Sequence, residues 1–175
     1  MAHTKNFTAS MWALLHHAGI FTNVHQDSEG YNIAIQVAGN RSDPSPKIWG
    51  VLKFKDPEMP KKTQMEIAEL VADVCSLQSS SDVDEFNEHN LYRLEDPCWS
   101  EFCTVDLIYV LPGDLVLQPA GTIHLVYTPA FCMSFGAQFY TFDTMHLTEF
   151  TCTIHRKYGN TVTNQIHNSI NETLI

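Results

Sequence analysis

The chain has 175 residues, 44% of them hydrophobic and 11% aromatic, which suits a single hydrophobic core and calls for no second domain. Its 20 acidic and 10 basic residues give a formal charge of −10, a field that repels phosphate and argues against direct nucleic-acid binding. No run approaches the roughly 18 apolar residues of a membrane span, and the start Met1-Ala2-His3-Thr4-Lys5 lacks a secretory hydrophobic region, so the expectation is a soluble, intracellular protein of nucleus or cytoplasm.

Taken in chain order, residues 8–17, with Trp12, Leu14 and Leu15, read as a strand entering the core. Gly19 and Gly30 bracket a strand that carries His25-Gln26-Asp27. Residues 31–37 alternate as a strand does; a turn-rich stretch follows over 38–46, then a strand over 48–54. Asp56-Pro57 breaks that strand and the period changes. Ile67, Leu70, Val71, Val74 and Cys75 recur at helical spacing, which predicts a helix of about four turns inside an insertion at about 60–78. Residues 79–90 hold Asp82, Asp84, Glu85 and Glu88 and read as a solvated acidic loop, since the spacing and glycine of an EF-hand are missing. At a barrel mouth such a loop would serve as a substrate lid.

Beyond Asp96-Pro97 an apolar strand is expected over 105–111. It is followed by a turn at Pro112-Gly113-Asp114, a short strand Leu115-Val116-Leu117, a second turn at Pro119-Ala120-Gly121 and a strand carrying His124. Residues 131–140 alternate large and small side chains, with Met133, Phe135 and Phe139 expected in the core. Residues 1–150 thus form one unit, and 151–175 a short helical tail in which Ile166, Ile170 and Leu174 recur every four residues, a stripe that also offers a homodimer contact. Five cysteines (Cys75, Cys98, Cys103, Cys132 and Cys152) are an odd number without C-x-x-C spacing and read as reduced thiols. The sequons at Asn6, Asn40 and Asn171 then carry no meaning.

His25 and Asp27 are the candidates for chemistry. In a strand, residues i and i+2 share a face, so an imidazole nitrogen and a carboxylate oxygen can reach one ion, with His124 supplying the third ligand from a neighbouring strand. Two histidines and one carboxylate are the ligand set of facial-triad Fe(II) sites, which leave positions open for cosubstrate and oxygen. Taken alone, His-x-Asp is common by chance and an isolated histidine is more often structural. His16 and His17 do not match the triad spacing and read as packed or solvent-facing histidines.

The pattern G, five residues, P-x-G, two residues, H is met at Gly113, Pro119, Gly121 and His124, and it resembles the second motif of the cupin barrels. That motif's Asn, four residues after the His, is replaced by Thr128. Residues 12–30, Lys47-Ile48-Trp49 and residues 112–147, ending in Phe139-Tyr140-Thr141-Phe142-Asp143-Thr144-Met145-His146-Leu147, resemble the divergent fungal-type members of the Jumonji C branch of the cupins. The resemblance runs over about 12–147, with a poor match in the middle.

It implies a mainly β fold, a double-stranded β-helix (cupin or jelly-roll barrel) with an inserted helix and the helical C-terminal tail. It also implies an Fe(II)- and 2-oxoglutarate-dependent dioxygenase that uses O2 to hydroxylate or demethylate a protein side chain, with His25, Asp27 and His124 as metal ligands. Lys47 of the Lys-x-Trp motif would pair with the far carboxylate of 2-oxoglutarate, and Thr22, three residues before the first His, would supply a hydroxyl to it; an ammonium and a hydroxyl together give a carboxylate charge-assisted hydrogen bonds. The turn over 40–46 is longer than in that family, which leaves Lys53 and Lys55 as fallbacks for the cation. Two other readings stay open: a non-catalytic Jumonji-like binding module, and a cupin metalloprotein that does not use 2-oxoglutarate. The acidic charge would favour a basic peptide as substrate; the alternative reading is simply solubility.

Overall fold

Period-two alternation builds most of the structure. The computed structural model describes residues 11–39, 46–78 and 101–158, and of residues 71–78 the backbone only; among them are eight strands. They are β1 (Met11–His16), β2 (Ile20–His25), β3 (Asn32–Ala38), β4 (Lys47–Phe54), β5 (Cys103–Val110), β6 (Leu115–Gln118), β7 (His124–Thr128) and β8 (Cys132–Phe139). They form two four-stranded antiparallel sheets, ordered β1-β8-β3-β6 and β2-β7-β4-β5. On β3 the buried Ile33, Ile35 and Val37 turn to one side, and the facing sheet answers with Trp49, Val110 and Val126. Trp12, Val116, Val51 and Cys132 complete a core drawn from both sheets, which makes the architecture a β-sandwich.

β8 is oriented the other way from the expectation. Met133 and Phe135 are exposed and Phe139 is half-buried, whereas Cys132, Ser134 and Gly136 face the core. The cause is the neighbouring strand. Trp12 lies opposite Gly136 on β1, and a Cβ at Gly136 would collide with its indole, so the inner face of β8 has room only for small side chains.

Two helices flank the sheets. Helix α1 (Lys61–Gln78) covers the predicted insertion, and its Ile67 packs with Met59 and Cys103 against Leu52, Phe54 and Val105. Helix α2 (Met145–Tyr158) follows a 3-10 turn at Phe142–Thr144, and its Ile154 meets Ala68 of α1. The Thr148 hydroxyl donates to the carbonyl of Gly30 at 2.8 Å, and Gly30 has φ +61. A Cβ there would come within 2.8 Å of the Thr148 carbonyl oxygen, so glycine serves both the left-handed turn and the close approach of the helix.

Cys103, Cys132 and Cys152 are buried free thiols. Among the described residues no helix is long and apolar enough to cross a membrane. The acidic loop at 79–90, Cys98, the side chain of Cys75, the sequons at Asn6, Asn40 and Asn171, and the tail stripe Ile166, Ile170 and Leu174 lie outside the described residues.

Candidate metal centre

β2 and β7 run antiparallel, with Thr22 opposite Val126 and His25 opposite His124; the register slips between these two pairs. Such a bulge bends a strand and re-aims the side chains beyond it. β2 ends at His25, so Asp27 lies just past the strand that was expected to carry it. Its backbone is still extended, at φ −65 and ψ 144, and the alternation therefore continues for two more residues. Gln26 turns away and donates from Nε2 to the carbonyl of Gly121 at 2.8 Å, while Asp27 returns to the side of His25.

The three side chains converge. His25, Asp27 and His124 each offer one ligand atom, and these atoms lie within 4.8 Å of one another. The imidazole rings are 4.2 Å apart between centroids and tilted by 48°, and Asp27 Oδ2 is 3.9 Å from His124 Nε2. Both histidines have the same backbone tether. His25 Nδ1 is 2.6 Å from the carbonyl oxygen of Asn23, and His124 Nδ1 is 3.1 Å from that of Thr122. A carbonyl only accepts, so each Nδ1 carries the proton and each Nε2 presents a lone pair to the centre. That is the tautomer and orientation a metal ligand needs.

A hydrogen-bonded chain holds the carboxylate. Gln118, at the end of β6, donates from Nε2 to Asp27 Oδ2 at 2.6 Å and accepts at Oε1 from the Trp49 indole at 3.2 Å. Trp49 in turn lies nearly parallel to the His124 ring, 6.0 Å away. The amide of Gln118 thus fixes one carboxylate lone pair and leaves the others for an ion.

The site's electrostatics favour a cation. Burial, reinforced by the nearby His25, pushes His124 down to about 3, so its ring is neutral at ordinary pH. Burial raises the Asp27 carboxyl above its usual range, and the attraction of His25 and the Gln118 hydrogen bond only partly oppose this. The neutral imidazole of His124 beside the buried Asp27 carboxylate makes a place that one divalent ion would relieve.

The loop after Asp27 is braced from outside. Glu29 has φ 57, and its carbonyl accepts from the Tyr140 hydroxyl at 3.2 Å and from the Cys152 thiol at 3.7 Å. Tyr140 stacks on Tyr31 at 4.5 Å, and Thr151 of α2 fills the space beside Gly121. Helix α2 therefore clamps both the loop that bears Asp27 and the turn that leads into His124.

Lys47 and Thr22 both face the interior. Lys47 is 2% exposed at the start of β4, four residues along the strand from Val51, which lies opposite His124; Thr22 is half-buried opposite Val126. Lys53 points outward and pairs with Asp106 at 2.9 Å, and Lys55 is exposed, so neither fallback cation faces the sandwich interior. His17 packs edge-on against Phe131. Three residues given no role from the sequence also face the interior: Gln118, which sequence reasoning passed over, Thr128, noted only as replacing the cupin motif's Asn, and His16, read as a packed or solvent-facing histidine. The only signal for them was a polar residue closing an apolar strand, or sitting where the cupin pattern has Asn. No protein-family model matches the chain, and no curated protein matches it either.

Proposed function

We propose that the chain is an Fe(II)- and 2-oxoglutarate-dependent dioxygenase of Jumonji C type, built on a double-stranded β-helix. The observation that carries the reading is the convergence of His25, Asp27 and His124, with both Nδ1 atoms tied to backbone carbonyls and both Nε2 atoms aimed at one point. The strand order supports the fold assignment. Eight strands in sheets β1-β8-β3-β6 and β2-β7-β4-β5 are what two interlocked Greek keys of a jelly roll produce. Two histidines with one carboxylate, and no thiolate, suit Fe(II) with open positions better than a closed structural zinc site.

Bound iron, with 2-oxoglutarate and O2, would supply oxidative decarboxylation to succinate and CO2 coupled to oxidation of a substrate C–H bond. The chain's own part is positioning. His25, Asp27 and His124 would hold the ion on one side, Gln118 and Trp49 keep Asp27 and His124 in place, and the core residues Val126 and Trp49 exclude water from the inner side. Lys47, with Thr22 nearby on the same inner face, would take the far carboxylate of the cosubstrate. Four residues of strand are about 13 Å, a gap that a lysine side chain and a five-carbon diacid can close between them. The substrate class is a protein side chain, hydroxylated directly or demethylated at methyl-lysine through the same hydroxylation, and the −10 charge favours a basic peptide.

The test is anaerobic Fe(II) reconstitution followed by 2-oxoglutarate, monitored by the weak visible charge-transfer band of the chelate, with His124→Ala as control. A band lost in the variant is the expected result. Metal binding without a band would favour a cupin metalloprotein or a non-catalytic module, and failure to bind metal would refute the site.

A further inference from the structure

The sheet β1-β8-β3-β6 lacks charge on its solvent side as well as on its core side. An antiparallel sheet with one wet face normally alternates apolar and polar side chains. Here not one Asp, Glu, Lys or Arg stands in the four strands, in a chain with 20 acidic and 10 basic residues. Strand pairing sorts the outward side chains into ranks that run across the sheet. One rank is Met11, Ala137, Ala34 and Leu117, and the next is Ala13, Phe135, Gln36 and Leu115. Leu15, Met133 and Ala38 make a shorter third, and Gln36 is the one polar member of the three. The six large apolar side chains in these ranks are 37–77% exposed. They leave on the order of 600 Å² of apolar surface open, which the alanines between them bring near the ~800 Å² that each partner gives to a standard interface.

The relief of this face fits a copy of itself. Phe135 stands in the middle of its rank. In the neighbouring rank Ala137 and Ala34 lie side by side between Met11 and Leu117, which makes a hollow beside the ring. A two-fold axis running across the strands between these two ranks lays each Phe135 over the alanine pair of the other copy, the reciprocal contact of an isologous dimer. The strands of the two copies then run nearly aligned, as two sheets of equal twist pack. Charge points the same way. Two chains of net charge −10 repel wherever carboxylates approach, and this face brings none. A lipid surface is a poorer occupant, because faces that bind one carry a border of Lys and Arg, and these strands have neither.

We propose that the outer face of β1-β8-β3-β6 is the interface of a homodimer, with Phe135 of each copy seated on Ala34 and Ala137 of the other. His25 and His124 belong to the other sheet, so the dimer stands independently of the cosubstrate reading.

Sedimentation equilibrium on the full chain tests this, with Phe135→Lys and Ala137→Glu made separately and then mixed. The parent should show the mass of two chains, in a concentration-dependent equilibrium with one. Each variant alone should dimerise at least tenfold more weakly, as loss of a central anchor does. Mixed in equal amounts they should recover the dimer, because one contact of the pair is then Lys against Glu and the other is the parental Phe135 on Ala137. Metal affinity, set on the other sheet, should stay at the parental value in each variant and reports that it folds. A parent that is monomeric across the whole concentration series overturns the proposal. So does a dimer that neither substitution weakens, which another surface such as the stripe of Ile166, Ile170 and Leu174 would then hold. A mixture of folded variants that dimerises no better than either alone overturns it as well.

Discussion

Replacing Lys47 with Met should stabilise the metal-free protein and weaken its proposed ligand. Lys47 is 2% exposed with no anion beside it among the described residues, and burial lowers its pKa. Taking an ammonium out of water is expensive; even a whole buried ion pair exchanged for well-packed apolar side chains of similar volume is often neutral or gains about 1–4 kcal/mol, and a charge with no anion beside it has less to lose. Methionine keeps the unbranched shape, and for a chain of this size each kcal/mol raises Tm by roughly 2–4 °C.

The pH dependence identifies the source. Unfolded lysine takes its proton near 10.5, and the folded state takes it only at lower pH. The native penalty therefore accumulates as pH falls through 10.5 and is fully present once the folded group is charged. The advantage of Lys47→Met should be large at pH 7 and shrink towards pH 10.5, read by urea denaturation of both proteins at each pH. The same variant should bind 2-oxoglutarate at least tenfold more weakly, since it loses a charge-assisted contact. A variant less stable than the parent at pH 7, by more than about 1 kcal/mol, would show that Lys47 is a satisfied structural residue and would refute the reasoning.

Further outcomes follow from the site and its supports. Gln118→Leu should lower metal affinity about 10- to 100-fold by competition titration, because the residue that orients Asp27 is lost while the ligands remain; an unchanged affinity would remove Gln118 from the site. Gly30→Ala should cost at least ~2 kcal/mol in denaturation, combining a left-handed backbone with a Cβ 2.8 Å from the Thr148 carbonyl oxygen. In the metal-free protein, burial holds His124 at about 3 and His155 at about 4, against 6.5 for a free histidine. The unfolded chain binds protons there that the folded chain refuses, so stability should fall as pH drops from about 7 to about 4. The loss is about 1.4 kcal/mol per pH unit for each histidine, and the raised pKa of Asp27 offsets part of it. A melting temperature flat across that range would contradict the burial of both rings.

Much of the sandwich could be read from the sequence because alternation is a local property. The strands around Ile33, Trp49, Val105, Val116 and Cys132 lie close to where period two and the flanking turn residues put them. Alternation does not say which of the two faces is inside. On β8 both faces alternate, and bulk alone pointed to Met133 and Phe135. The deciding contact is Trp12 against Gly136, between residues 124 positions apart, which no local pattern contains. The spacing of His25 and Asp27 was informative for a related reason: two residues in extended backbone share a face whether or not a partner strand is present, so the pair survives the end of β2. The bulge that turns His25 towards His124 is a property of the β2 and β7 pairing and leaves no mark on either strand alone.

The polar residues of the interior divide along the same line. His25, Asp27 and His124 are recognisable by type, since imidazole and carboxylate at that spacing suggest a metal before any fold is known. Gln118, Thr128 and His16 are ordinary residues made significant only by surroundings that deprive them of water. Gln118 is satisfied at both ends, by Asp27 and Trp49, and so acts as a strut. Thr128 Oγ1 and His16 Nε2 have no hydrogen-bond partner among the described residues, and they lie at the same end as the buried Lys47. A sandwich that existed only to be stable would have an apolar residue at each of these three positions, because each unpaired group costs it free energy. Their presence at one end, with three convergent ligand atoms at the other, fits the proposed cosubstrate, whose head would sit on a metal held by those ligands and whose far carboxylate would reach Lys47.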